Sequence, residues 1–323
     1  MRDSETFTVD DPRFSTGQVV GRSMLTTDGD QHDRQRAAFA GEFRRDDVHR
    51  GFTAFVNAEV DRLIDAIEPL GGAELRGAVA GPLAAVAMAR ALGLEDVGTD
   101  TMLDWYREIV AATSGLAAGM PVPAAGRRAA EELREALEAR LERSGLTPHE
   151  VSSNAAVLLF GGIETTEGMI CNALLHLLSH PDQLELIRSE RALLSGALEE
   201  SLRLEPAAAS IDRYATRDVE LGGAQIGERD LVTISLAAAN RDPELFPDPD
   251  RFDIRLPNAA RHLAFAAGPH VCLGMHLARL EAATAIGRLL DRLPGLRLDP
   301  GRPAAPRGLV FRKPPELHVL WDD

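Results

Sequence analysis

What the chain lacks narrows its function first. Its only cysteines, Cys171 and Cys272 among 323 residues, are too few for a disulfide framework. Basic residues are in deficit: 35 Lys plus Arg stand against 50 Asp plus Glu, a formal net charge of −15. That balance repels nucleic acid and anionic lipid over most of the surface. No uninterrupted apolar span exists either. The most apolar stretch, Val151 to Leu178, is broken by Glu164 and Glu167, which argues against a membrane helix. The opening segment, MRDSETFTVDDPRF, is charged and has no apolar h-region, so the expected compartment is the cytoplasm. No repeat, low-complexity linker or composition break divides the chain, and 45% hydrophobic residues suffice for a large core.

From about Asp28 to Ser195 apolar residues recur at helical spacing, predicting helices near 30–46, 48–68, 74–92, 99–113 and 126–143. Thr147-Pro148-His149-Glu150 reads as a capping box with proline at the first helical position, opening a helix that runs to Ser179, before His180-Pro181. At 1.5 Å per residue it would be roughly 50 Å long. A helix from Arg191 to Leu204 follows. Tyr214 to Leu236 alternates apolar and polar residues around Gly222-Gly223 and Gly227, predicting short antiparallel strands. A proline-rich loop, NRDPELFPDPDRFD, leads to a last helix over about 275–293 and a strand-like tail. The expected architecture is mainly α with minor β-sheets in one domain over 1–323, helical over about 28–205 and strand-rich over about 206–323.

The segment FAAGPHVCLG, Phe265 to Gly274, surrounds Cys272 with permissive backbone. Gly268 and Gly274 would allow positive φ and close approach of N–H groups to the sulfur. The helix that begins just after Cys272 would favour thiolate over thiol. An isolated cysteine is usually an inert buried one. Here Phe-x-x-Gly-x-His-x-Cys-x-Gly fixes five positions, with a chance occurrence on the order of 10⁻⁵ in a chain this long. A hydrolase pair of His270 and Cys272 is a poor alternative, because no supporting acid or oxyanion hole is evident.

This segment resembles the haem-binding loop of the cytochrome P-450 superfamily, the haem-thiolate monooxygenases. The resemblance extends over nearly the whole chain from about Phe14, with four motifs in family order. It implies haem b (iron protoporphyrin IX) with Cys272 as axial ligand, Phe265 near the sulfur, and His270 at a propionate. Cys171, amid Ile170, Ala173 and Leu174, matches no motif and reads as core. GGIETT resembles the family's oxygen groove: Gly161 and Gly162 make room for cofactor and O₂, while Glu164 and Thr165 form an acid–alcohol pair in which Thr165 would stabilise the iron-bound peroxo species and Glu164, with water, would pass protons from solvent. A tight helix contact through glycine is the plainer reading of that stretch. Glu200 and Arg203 match the family's Glu-x-x-Arg, completed by Arg251, as a structural network. His32, Arg36 and Arg213 match its propionate partners. By position, Ile163, Ala207, Ala208, Ala209, Ser210, Ile211 and the stretch Gly308 to Phe311, with Leu309 and Val310, line the substrate pocket.

The implied function is oxidation of a small apolar organic substrate with O₂, in bacterial secondary metabolism. The chain has no flavin or iron–sulfur motif, so electrons would come from a ferredoxin and its reductase. Arg34, Arg44, Arg45 and Arg279 would receive that acidic donor, against a plainer reading as a solvated mixed-charge face. Bacterial members usually carry several tens of residues before the His-x-x-x-Arg helix, so the expected fold is N-terminally shortened. Alternatives are a non-catalytic haem- or ligand-binding relative, or a variant doing oxidative coupling or peroxide-driven chemistry.

Overall fold

The computed structural model describes residues 1–117, 120–138 and 145–322. In chain order its elements are β1 (Phe7–Thr8), α1 (Ser15–Val20), α2 (Gly29–Ala40), α3 (Arg45–Ile67), β2 (Gly72–Glu74), α4 (Gly81–Ala91), α5 (Thr99–Ala117), α6 (Ala124–Glu138) and α7 (Pro148–Ser179). There follow α8 (Pro181–Ser189), α9 (Leu194–Leu204), β3 (Ser210–Ala215), β4 (Val219–Leu221), β5 (Ala224–Ile226), β6 (Leu231–Ser235), α10 (Leu236–Ala239), α11 (Met275–Arg292), β7 (Arg297–Leu298) and β8 (His318–Leu320). The mainly helical expectation with small sheets is met.

The axis of the fold is α7, and its start is written locally. Thr147 Oγ1 accepts the Glu150 N–H at 3.2 Å, while Glu150 Oε2 accepts the Thr147 N–H at 2.9 Å. Two otherwise orphaned donors are thereby satisfied, and Pro148 fits the first turn because its missing N–H is not needed there. The helix is buried on nearly every side, which explains its lack of an amphipathic stripe. It packs against α4, α5, α6, α9 and α11, and α11 packs in turn on α3.

The strands form three small antiparallel groups, β1-β3-β6, β2-β8-β7 and the hairpin β4-β5. The predicted glycine turn is there, with Gly222 and Gly223 at φ 59° and 83°, the geometry a two-residue hairpin demands. One predicted helix starts later than expected. Residues 72–74 pair with β8, and the Glu74 carboxylate then accepts the N–H groups of Arg76, Gly77 and Leu317 at 2.9, 2.7 and 2.8 Å. A π-helical turn, Arg76–Ala80, intervenes before α4. The predicted helix 126–143 is present to Glu138; residues 139–143 lie outside the described residues. Among the described residues no helix is long and apolar enough to cross a membrane.

Candidate active site

Backbone bonds shape the cysteine loop. The Cys272 N–H donates to the Phe265 carbonyl at 2.9 Å, Val271 to Gly268 at 3.1 Å and Ala266 to Leu263 at 2.8 Å. Gly268 takes φ 80°, and a Cβ there would lie 2.6 Å from the Met1 carbonyl oxygen, so glycine is required. Gly274 differs from expectation: it has φ −83°, as the residue preceding α11, and a Cβ would meet nothing within 4 Å. The second left-handed residue is Ala266, at φ 57°. Phe265 lies under the Arg279 guanidinium, 4.5 Å from its ring centroid, with the His262 ring at 5.8 Å. Arg279 is fixed by Glu199 at 2.6 and 2.8 Å, and His262 lies 3.1 Å from the same carboxylate. Burial would raise the Glu199 pKa, but hydrogen bonds from Arg279 and His262 hold it down to about 2.

The expected thiolate preference of Cys272 is corrected. Burial pushes the thiol pKa up, against the Gly274 N–H, Arg36, Arg279 and the Met275 N–H. Desolvation of the anion outweighs the helix start, so a bound cation would have to supply the balance. His270 makes no hydrogen bond to Cys272 among the described residues; its Nε2 lies 2.8 Å from Asp28 Oδ1. Asp28 also accepts from the Thr8 hydroxyl at 2.6 Å and the Val9 N–H at 2.9 Å. Although burial opposes them, the His270, Thr8 and Val9 bonds hold its carboxyl at about 2. The arrangement gives the His270–Cys272 hydrolase reading no support.

Beside the loop sits a set of underpaired cations. Arg36 donates to the Val271 carbonyl at 2.7 Å, and buried Arg213 to the Asp212 carbonyl at 2.7 Å. Neither guanidinium forms an ion pair with a carboxylate among the described residues, and burial lowers both pKa values. His32 is buried too, its ring centroid 4.4 Å from that of His270. Its Nδ1 lies 2.9 Å from Asp33, while its buried Nε2 has no hydrogen-bond partner among the described residues. A half-buried and a buried cation, each half-satisfied, and an orphaned ring nitrogen call for an anion. These residues fit the two propionates of a haem.

On α7 the two glycines part company. A Cβ at Gly161 would meet nothing within 4 Å, whereas one at Gly162 would lie 2.3 Å from Met88 Sδ of α4. Gly162 therefore serves helix packing, which corrects the expectation that both make room for a cofactor. The Thr165 hydroxyl donates to the Gly161 carbonyl at 2.6 Å, on the face that Gly161 leaves open. Glu164 faces elsewhere. It is buried, its Oε2 accepting from the Tyr106 hydroxyl and lying 2.8 Å from Lys313 Nζ. Lys313 also lies 2.7 Å from Glu167, which pairs with Arg76. Burial, then Glu167 and Glu164, push the Tyr106 phenol far up, so it stays a donor.

Arg203 and Glu200 meet as expected, both fully buried. Arg251 does not join through its side chain, which is exposed; its carbonyl accepts from Arg203 at 3.0 Å. A backbone oxygen closes the network without burying a further charge. Several expected pocket residues are enclosed. Ile163 is 0% exposed, Ala207 6% and Ala209 4%, leaving almost no face for a ligand. Ala208, Ser210 and Ile211 are half-buried, while Leu309 and Val310 are exposed on a hairpin tip. Of the four arginines assigned to docking, Arg34 is held by Glu150 and Arg279 by Glu199, whereas Arg44 and Arg45 are exposed. After burial, Arg279, Arg45 and His49 lower the His276 pKa, so positive charge does gather beside the start of α11. The sequence reading missed Asp28, Arg76, Tyr106, Glu167, Glu199, His262 and Lys313. Only Lys313 carried a signal, being the sole lysine in the chain.

A mainly helical fold with a cysteine loop beside an anion-accepting cradle defines a haem-binding class, and comparison with known proteins agrees. The family model described as Cytochrome P450 matches residues 126–315. The chain is 36% identical over 341 residues to the cytochrome P450 monooxygenase PikC of Streptomyces venezuelae, spanning 96% of this chain and 80% of that one. It is 35% identical over 308 residues to the 20-oxo-5-O-mycaminosyltylactone 23-monooxygenase of Streptomyces fradiae, spanning 88% and 71%. The crystal structure of P450BioI in complex with hexadec-9Z-enoic acid ligated acyl carrier protein superposes with a TM-score of 0.86 at 30% identity, covering 99% of this chain and 91% of that one. The hydroxylase HmtN gives 0.87 at 31%, covering 99% and 87%. The chain belongs to the cytochrome P450 family. It is a P450 monooxygenase, with a haem-iron cofactor and a requirement for substrate, O₂ and a redox partner.

Proposed function

We propose that the protein is a single haem b–thiolate unit that hydroxylates or epoxidises a small apolar organic substrate in secondary metabolism, with electrons from a ferredoxin and its reductase. The observation that carries the haem assignment is the cluster of Arg36, Arg213 and the orphaned His32 Nε2 beside Cys272. Cys272 would ligate the iron, Phe265 and Arg279 would shield the sulfur, and the three basic residues, with His270, would hold the propionates. Bound there, the haem supplies the oxidising chemistry that places one oxygen atom of O₂ on the substrate and releases the other as water.

The remaining work falls to this chain's own side chains. Thr165 presents a hydroxyl on the open Gly161 face and Glu164 is the nearest acid in sequence, so the pair would carry protons inward from solvent. Ala208, Ser210, Ile211, Leu309 and Val310 keep accessible surface for an apolar substrate. The exposed Arg44 and Arg45 form a positive patch suited to an acidic electron donor despite the net charge of −15. Two relatives support the metabolic setting: the 20-oxo-5-O-mycaminosyltylactone 23-monooxygenase above and HmtN, a post-tailoring hydroxylase involved in himastatin biosynthesis.

The test is spectroscopic and catalytic together. Substrate-induced difference spectra across a library of apolar natural products should identify binders, and turnover with ferredoxin and its reductase should yield oxygenated product from at least one. With that compound Thr165→Ala should keep consuming NADH while product falls and peroxide rises. Binders that are never oxygenated would overturn the monooxygenation of this substrate class.

A further inference from the structure

The chain's one lysine is enclosed rather than displayed. The Lys313 side chain is 12% exposed, and its ammonium meets three partners: Glu164 Oε2 at 2.8 Å, Glu167 Oε1 at 2.7 Å and the Tyr106 hydroxyl oxygen at 3.0 Å. All three N–H donors are thus matched. A Cβ placed on Gly168 of α7 would lie 2.9 Å from Ala207 Cβ, 3.5 Å from Lys313 Cβ and 3.7 Å from its Cδ, so glycine there admits the segment at Ala207 and leaves the lysine stem in ordinary contact with the helix.

The backbone of Lys313 closes a hairpin. Its N–H donates to the Arg307 carbonyl at 3.3 Å, and the Arg307 N–H returns to the Lys313 carbonyl at 2.9 Å. The turn between them, residues 308–311, depends on Gly308 at φ 108°, where a Cβ would fall 1.9 Å from the Phe311 carbonyl oxygen. That turn bears Leu309 and Val310. It is bonded along residues 207–209, with Ala209 N–H to the Val310 carbonyl at 2.7 Å and Arg312 N–H to the Ala207 carbonyl at 2.9 Å. One residue therefore joins the stretch assigned to substrate contact with the acid assigned to proton delivery.

We propose that Lys313 is a positioning residue that latches Glu164 away from the Thr165 face and releases it when a ligand displaces the 307–313 hairpin, so that filling the pocket opens the proton path. The proposal rests on the reading of Thr165 and Glu164 given above. Latched, the Glu164 carboxylate spends Oε2 on Lys313 and Tyr106. Released, it takes one proton from water and passes one inward to the Thr165 side, and the net charge of the cluster is restored when it returns. Lys313 keeps Glu167 as a partner throughout, which limits the cost of release. Water has an approach: a cleft of about 180 Å³ is lined by Glu74, Arg76, Tyr106, Arg107 and Glu167, three of them members of the cluster. The ionisable groups facing Glu164 and Glu167 are Lys313, Tyr106, Arg76, Glu74 and Cys171.

The absence of other lysines makes the test direct. In the haem-loaded protein, reductive methylation read by mass spectrometry can label the N-terminus and Lys313 alone. Lys313 should react slowly in the wild type and at least five-fold faster in Glu164→Gln. It should also react faster in the wild type with 4-phenylimidazole, a haem ligand that fills the space beside the iron. Without substrate, Lys313→Met should raise NADH oxidation several-fold over wild type in the reconstituted system, Lys313→Arg should restore low leakage, and Lys313→Met with Glu164→Gln should behave like Glu164→Gln alone. Fast methylation of the wild type, or no response to 4-phenylimidazole, would overturn the latch. Wild-type leakage in Lys313→Met would also overturn it, provided Glu164→Gln and Thr165→Ala still impair turnover. If those two variants behave as wild type, the acid–alcohol reading beneath it is what fails.

Discussion

Arg203 and Glu200 share two parallel hydrogen bonds, 2.7 Å from Nε and 2.8 Å from Nη2, with both side chains fully buried. The remaining N–H groups of Arg203 reach the carbonyls of Asn240, Pro249 and Arg251, and Glu200 Oε1 also accepts the Asp253 N–H at 3.0 Å. All five donors of the guanidinium are thereby used, two on Glu200 and three on the loop that precedes the cysteine segment. Removing one partner leaves an uncompensated buried charge, which typically costs about 3–5 kcal/mol. Glu200→Gln and Arg203→Met should lower the unfolding free energy measured in urea by that order and reduce haem content, whereas Arg251→Ala should leave both near wild type. Equal damage from Arg251→Ala would show that its side chain matters after all.

The two cysteines should separate cleanly in spectra. Cys171 is fully buried on α7 and its thiol pKa is pushed up by that burial, so it behaves as core. Cys272→Ala should abolish the red-shifted Soret band of the reduced CO complex, and Cys171→Ala should retain it. A persistent thiolate band in Cys272→Ala would remove this residue as the ligand.

Acid stability should depend on Asp28. Its carboxyl is held at about 2 against an ordinary value of 3.8, so the folded state prefers the ionised form. That contribution is complete above the ordinary value and disappears as pH falls through 3.8 towards 2. Asp28→Asn should therefore be less stable than wild type at pH 6, and the gap should close as the pH approaches 2. Urea unfolding followed at pH 6, 4 and 3 checks this, and a gap that widens on acidification would contradict it.

Docking of an electron donor at the Arg44 and Arg45 face should be sensitive to salt. Arg44→Glu with Arg45→Glu should slow the first electron transfer at least several-fold at low ionic strength, chiefly through weaker donor binding. Substrate-induced spectral shifts should stay unchanged. Arg34→Glu should have a smaller effect, because Arg34 is already occupied by Glu150. Wild-type reduction by the double variant would place the donor elsewhere.

The features legible in the sequence were those whose physics is local or whose spacing is itself the chemistry. Thr147 to Glu150 announced the start of α7 because a capping box needs no partner outside four residues. Glu200 and Arg203 were paired by helical spacing, and the cysteine loop was marked by five fixed positions within ten. Tertiary structure decided what each group faces. Gly161 and Gly162 are neighbours of one residue type, yet only the approach of Met88 makes one a packing glycine. Arg251 supplies a carbonyl because its guanidinium would have had to lose its hydration. The Cys272 thiol rises because burial outweighs a helix start that the sequence could see. Lys313 finds Glu164 across 149 positions of sequence because chain folding brings the 307–313 hairpin onto α7. No local pattern encodes such a contact, since its energy exists only once both partners have been removed from water together.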